Sequence, residues 1–233
     1  MTTIALNLQS VRERIARACA AAGRDVNEVT LLPVSKTFGP DAVRAAWAAG
    51  ATAFGENYIQ EAVDKQALLA DLPIAWHCIG PIQSNKTRLV AAHFAWAQSI
   101  DRLKIAQRLS EQRPGSLPPL QVCIQVNVDG GASKSGVAPQ EVAALAHAVA
   151  ALPRLVLRGL MTIPEPAADF EAQLAVHRKA RQLFDALRAD GLALDTLSMG
   201  MTADLEAAIH AGSTMVRVGT AVFGGRPPMS LRA

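Results

Sequence analysis

Lys36 is the residue whose placement most invites chemistry. It ends the apolar run Leu31-Leu32-Pro33-Val34-Ser35 and is followed by Thr37. Only six of the 23 basic residues are lysines, at 36, 65, 86, 104, 134 and 179; the rest are arginines. An amine held in low dielectric has a lowered pKa, because burial disfavours the ammonium form. The neutral amine can attack a carbonyl carbon and form a Schiff base, which an arginine cannot do. Taken on its own stretch, the plainer role is favoured: a strand-end lysine with its stem on apolar surface and its head in water.

Other candidates share one trait: each follows or ends an apolar run. They are Gly55-Glu56-Asn57; His77, before Gly80-Pro81; Asn127 with the loop 129–136, which contains Lys134; Met161-Thr162; Ser198-Met199-Gly200-Met201-Thr202; and Arg217-Val218-Gly219-Thr220. Gly200 would let backbone amides approach a ligand, and a helix expected to start near Thr202 would favour an anion at its N-terminus. Gly219 and Thr220 suit the same role at a short extra helix. Each also has an ordinary role. Gly200 and Gly219 could be turn glycines. Arg217 could sit in a strand-end ion pair, and Asn57 could cap the next helix. His77, between Trp76 and Cys78, reads as a satisfied core histidine, and Lys134 as a residue of a flexible loop.

The elements that must position these residues alternate regularly. Apolar strand-like runs stand near 29–36, 52–56, 74–79, 95–100, 120–128, 156–163, 195–199 and 215–219. Helical patterns follow at 40–49, 57–70, 84–93, 101–113, 139–151, 169–190 and 202–211, and an amphipathic helix at 4–22 precedes them all. Strands without polar alternation are buried on both faces, as in parallel sheets. Eight strands alternating with helices in 233 residues predict an α/β chain folded as a single (β/α)8 TIM barrel, one domain over 1–233, with an extra N-terminal helix. A doubly wound sheet competes, but no GxGxxG follows the first strand. In a barrel every candidate lies at the carboxyl ends of the strands, where active sites form, and strand 1 is next to strand 8. The loops after strands 7 and 8 commonly hold phosphate. A Schiff-base lysine beside a phosphate cradle points to pyridoxal 5′-phosphate (PLP).

Composition narrows the rest. No apolar run reaches the roughly 18 residues of a membrane span, and residues 1–10 lack a secretory signal pattern. Cys19, Cys78 and Cys123 are odd in number and far apart, with no metal-binding spacing. A reducing cytoplasm is the expected compartment. The net charge is +3, but the arginines are scattered and aromatics make up only 4%. No nucleic acid, membrane or metal is expected as a partner.

The motifs together resemble a known family. Val34-Ser35-Lys36-Thr37, Phe54-Gly55-Glu56-Asn57-Tyr58, Trp76 through Lys86, Ser99-Ile100-Asp101, Gln125-Val126-Asn127, Lys134-Ser135-Gly136, Gly159-Leu160-Met161, Leu197 through Met201 and Val216 through Thr220 stand in order over nearly the whole chain. This pattern closely resembles the YggS/PROSC family of PLP homeostasis proteins, fold type III barrels similar to the N-terminal domain of alanine racemase. The resemblance implies that Lys36 holds PLP as a Schiff base. It implies that Ser198, Gly200, Gly219 and Thr220 bind the phosphate, that Asn57 belongs to the cofactor site and that Arg217 lies by the pyridine nitrogen. An arginine there keeps that nitrogen unprotonated, because adjacent positive charges repel. Lys134 matches a family loop lysine connected with PLP exchange. Phe38 stands where some members have a second lysine, and the C-terminus lacks lysines, so transfer routes through those positions are not expected here.

Two-sided racemisation needs an acid/base opposite the lysine, which alanine racemase takes from a tyrosine of an additional domain. This chain holds one tyrosine, Tyr58, and ends soon after strand 8. The expectation is therefore a PLP-binding protein without catalytic residues, buffering or delivering the cofactor to apo PLP-dependent enzymes. A weak PLP-dependent racemase or transaminase is the alternative, and a cofactor-free Schiff-base lyase ranks last. A monomer is the default, with a weak dimer as the other option.

Overall fold

The computed structural model describes residues 2–130 and 135–225. Helix α1 (Thr3–Ala21) comes first, and Thr2 caps it by accepting the Ala5 N–H at its hydroxyl. Then follow β1 (Thr30–Pro33), α2 (Pro40–Ala48), β2 (Ala53–Glu56), α3 (Ile59–Ala67), β3 (Ala75–Cys78), α4 (Thr87–His93), β4 (Trp96–Ile100) and α5 (Leu103–Gln112). The second half comprises β5 (Leu120–Val126), α6 (Val142–Ala150), β6 (Leu155–Thr162), α7 (Phe170–Ala189), β7 (Thr196–Ser198), α8 (Leu205–His210), β8 (Met215–Val218) and α9 (Thr220–Phe223).

The strands pair in parallel in the order β1-β8-β7-β6-β5-β4-β3-β2. Val34 bridges to Gly55 and the Ser35 N–H donates to the Gly55 carbonyl at 3.0 Å, which closes β1 onto β2. The expected eight-stranded barrel is therefore the observed one. Helix α1 packs against α2, α8 and α9 on the outside. Its buried stripe is Leu8, Val11, Ile15, Ala18 and Cys19.

The side chains separate into two layers. A large apolar cluster lies between strands and helices. A second, smaller cluster comprises Leu32, Val34, Ile79 and Met215, with the buried polar Gln98 against Met215. Leu32 and Val34 are two apart, as the two-residue period of a strand requires. The same alternation carried two residues on brings Lys36 to the mouth above them.

One boundary differs from expectation in a way that matters. The helix read as starting near Thr202 begins at Leu205. The Asp204 carboxylate accepts the Met201 N–H at 2.6 Å, closing a side-chain turn over 201–204 before the helix can start. Asp204 is in turn gripped by His177 Nε2 at 3.0 Å. Burial pushes this carboxyl up, but the hydrogen bonds from His177 and Met201 outweigh it and hold Asp204 below the usual range.

Candidate functional site

Lys36 is one of two central residues in a hydrogen-bonded turn: the Phe38 N–H donates to the Ser35 carbonyl at 3.1 Å. The other central residue, Thr37, has φ +68°. That conformation suits position three of a type II turn, where glycine is preferred. A β-branched residue there costs about 1–3 kcal/mol, so the surroundings must hold it. They do so from α3. The Glu61 carboxylate accepts the Thr37 N–H at 2.8 Å. Lys65 Nζ donates to the Ser35 carbonyl at 2.9 Å and to Glu56 Oε1 at 2.6 Å, and lies 3.4 Å from Glu61 Oε1. The Ser35 hydroxyl donates to Glu56 Oε1 at 2.6 Å. Glu56 and Lys65 are both buried. Burial raises the Glu56 pKa, with Lys65 and Ser35 opposing. Removing one partner of such a pair costs about 3–5 kcal/mol.

On one flank of Lys36 stands β8. The Val34 N–H donates to the Val218 carbonyl at 3.0 Å. Gly219 follows, so close that a Cβ on it would lie 3.3 Å from the Val34 carbonyl oxygen. Thr220 opens α9 and is exposed. On the other flank is β2, after which Asn57 rises. Asn57 sits directly against Gly80, where a Cβ would lie 2.2 Å from the Asn57 carbonyl oxygen. Gly200, at φ +93°, accepts the Arg217 N–H on its carbonyl at 2.9 Å. Lys36, Asn57, Gly200, Arg217, Gly219 and Thr220 thus gather at the carboxyl ends of β1, β2, β7 and β8, as expected. Lys134 lies outside the described residues.

Ser198 ends β7, where the sequence places it, but its hydroxyl is engaged within the barrel rather than open at the mouth. Its hydroxyl is buried in the barrel, accepting from Arg217 Nη1 at 2.8 Å and donating to Gln98 Oε1 at 2.7 Å. Arg217 Nη2 donates to the Thr162 carbonyl at 2.7 Å. Ser198 orients Arg217, with its hydroxyl committed inward. Arg217 is fully buried, and desolvation lowers its pKa to about 10, which leaves it cationic at neutral pH. Below it, Gln98 Nε2 donates to His77 Nδ1 at 2.9 Å, and the His77 ring stacks on Trp96 at 5.0 Å. His77 is the satisfied core histidine the sequence suggests. Four buried oxygens at this end, Thr37 Oγ1, Glu56 Oε2, Asn57 Oδ1 and Thr162 Oγ1, have no hydrogen-bond partner among the described residues.

Burial lowers the His77 pKa from 6.5 to about 3. The unfolded chain takes up that proton near 6.5, whereas the folded chain resists until about 3. Stability is therefore lost as pH falls through this window, at up to about 1.4 kcal/mol per unit. Urea unfolding between pH 7 and 5 checks this. The midpoint of the wild type should fall, and that of His77→Gln should fall less. Equal slopes would contradict it.

Sequence reasoning missed Lys65, Glu61, Gln98 and Asp204. A signal for Lys65 existed. It falls on the buried stripe of α3 with Ile59 and Ala62, and four residues after Glu61.

Residues 6–227 match the family described as alanine racemase, N-terminal domain. The chain is 63% identical over 226 residues to the pyridoxal phosphate homeostasis protein of Pseudomonas aeruginosa, covering 97% of both chains. It is 52% identical to that of Escherichia coli, covering 97% of this chain and 98% of the relative. Among solved structures, PipY of Synechococcus elongatus with PLP bound superposes with a TM-score of 0.83 at 35% identity, covering 95% of this chain and 100% of PipY. An alanine racemase of Clostridium difficile shares the fold, with a TM-score of 0.73 at 12% identity over 57% of its length. The chain belongs to the pyridoxal phosphate homeostasis proteins, a family built on the alanine racemase N-terminal domain.

Proposed function

We propose that this protein binds PLP, holds it covalently on Lys36 and buffers or delivers it to apo-enzymes without turning over a substrate. The observation that carries the reading is the position of Lys36. It stands at the barrel mouth, between the Gly219 loop and Asn57, with the buried cation Arg217 on neighbouring β8. The residues fit the group. PLP brings an aldehyde that an amine can capture, an anionic phosphate and a polar ring. Lys36 would hold the group through its amine, and PLP would supply the aldehyde carbon that the amine captures. Gly200, Gly219 and Thr220 offer backbone and hydroxyl groups to the phosphate. Arg217, held by Ser198 and Thr162, would supply a fixed positive charge to the ring. Asn57 and Thr162 contribute buried oxygens that lack partners among the described residues.

Three features support carriage over catalysis. Tyr58 is 53% exposed at the start of α3 rather than enclosed opposite Lys36. His77 is committed to Gln98 and kept neutral by burial. The buried thiols Cys78 and Cys123 are both pushed up to about 12 by desolvation, which makes them poor nucleophiles. We place the protein in the cytoplasm, as a monomer by default with a weak dimer as the other option. Among the described residues no helix is long and apolar enough to cross a membrane. The test is transfer. An apo PLP-dependent enzyme should regain activity faster with the loaded protein than with the same total PLP in buffer. Equal or slower recovery would remove delivery from the account and leave storage.

A further inference from the structure

We propose that Lys65 is a positioning residue for Lys36: with Glu56 and Glu61 it clamps the turn Ser35–Phe38 and so sets how fast the lysine captures its aldehyde. The inference rests on the reading of Lys36 as the PLP lysine. The turn has one weak point, Thr37, a β-branched residue at φ +68°. Nothing in the sequence of a four-residue turn favours that conformation. What holds it comes from α3, one βα unit further along the barrel.

Lys65 touches both ends of the problem. Its ammonium donates to the Ser35 carbonyl, the same oxygen that receives the Phe38 N–H and closes the turn. It also bonds Glu56 at 2.6 Å and approaches Glu61 at 3.4 Å. Glu61 in turn binds the Thr37 N–H at 2.8 Å. The ammonium thus neutralises two carboxylates that would otherwise repel each other beneath the turn. Glu56 ends β2 and also takes the Ser35 hydroxyl, so the clamp joins β1, β2 and α3 at the root of Lys36. A lysine buried to 5% exposure in a helix stripe is an uncommon solution for stability alone, since apolar residues of similar volume do as well. A positioning role accounts for its place, because small misplacements of a reacting group cost rate steeply.

The experiment follows the visible band that PLP gains on mixing with purified protein, in stopped flow, with far-UV circular dichroism and thermal unfolding alongside. Lys65→Met should capture PLP at least about tenfold more slowly than wild type while remaining folded. Lys65→Met with Thr37→Gly should recover much of that rate, because glycine adopts a positive φ without a clamp. Should Lys65→Met fail to fold, Glu56→Gln with Lys65→Met removes both charges of the buried pair, and the same slowing and the same rescue are expected in it. Wild-type capture rates in the folded variants overturn the proposal. Slowing that Thr37→Gly does not relieve overturns it too, since the loss then acts elsewhere than on the turn. A wild-type protein that gains no band is a separate result, which removes the PLP reading itself.

Discussion

Replacing Lys36 with alanine should abolish the visible band that PLP acquires on the wild-type protein and leave the barrel folded. The two halves of this expectation have different causes. Loss of the band follows from chemistry, because alanine has no amine to condense with the aldehyde. Among the described residues at the mouth none can substitute: arginine does not form the adduct, and Lys65 is committed to Glu56 and Ser35 beneath the turn. Retention of the fold follows from packing. The turn is closed by backbone and α3 contacts, and Leu32 and Val34 hold β1 from within. Thermal unfolding without PLP should differ little between the two proteins. With PLP, only the wild type should gain substantially, because a ligand that binds the native state alone raises its stability. An unchanged band in Lys36→Ala would place the cofactor on another group.

Gly80→Ala should damage both stability and PLP loading, although glycine to alanine is the smallest side-chain addition. The added Cβ would lie 2.2 Å from the Asn57 carbonyl oxygen and 2.7 Å from the Asn57 Cα. Both are backbone atoms, so no rotamer change relieves the overlap. Neither side can retreat easily. The Gly80 carbonyl is held by the Ser99 hydroxyl, and the neighbouring Ile79 N–H donates to the Glu56 carbonyl at 2.9 Å. Overpacking a tight site costs about 3 kcal/mol at its upper range, and a backbone clash belongs there. In a chain of this size that lowers the melting temperature by roughly 6–12 °C. Because the part that moves carries Asn57, PLP occupancy should fall further than stability does, and should not return on cooling to where the protein is fully folded. Wild-type occupancy and melting temperature would mean that the β2–α3 loop yields freely.

The barrel was legible because its signal is repeated. Each strand is a short apolar run bounded by turn residues, and errors of one or two positions do not alter the count. The mouth was legible for the same reason. Once the strands are placed, Lys36, Asn57, Gly200, Arg217 and Gly219 fall at their carboxyl ends. What the sequence did not disclose depends on side-chain direction. Ser198 stands beside Gly200 in a motif that suggests an anion cradle, yet at the end of a three-residue strand its hydroxyl turns inward to Arg217 and Gln98. Thr202 looks like a helix start, yet Asp204 captures the Met201 N–H and delays the helix to Leu205. Lys65 was passed over because a helical lysine is ordinarily solvated; its register against Ile59 and Ala62 was the overlooked sign. The Ser198 contacts join residues distant in sequence, which no local pattern encodes, whereas the Asp204 turn and the Lys65 register are local.

The central claim is that PLP is carried on Lys36. Its most direct test is to load the protein with PLP, reduce it with borohydride, digest it and find the modified peptide by mass spectrometry. The account predicts a reduced pyridoxyl phosphate on the peptide containing Lys36, at close to one per chain. A modification on Lys65, Lys134 or another lysine with Lys36 unmodified, or none at all, would contradict it.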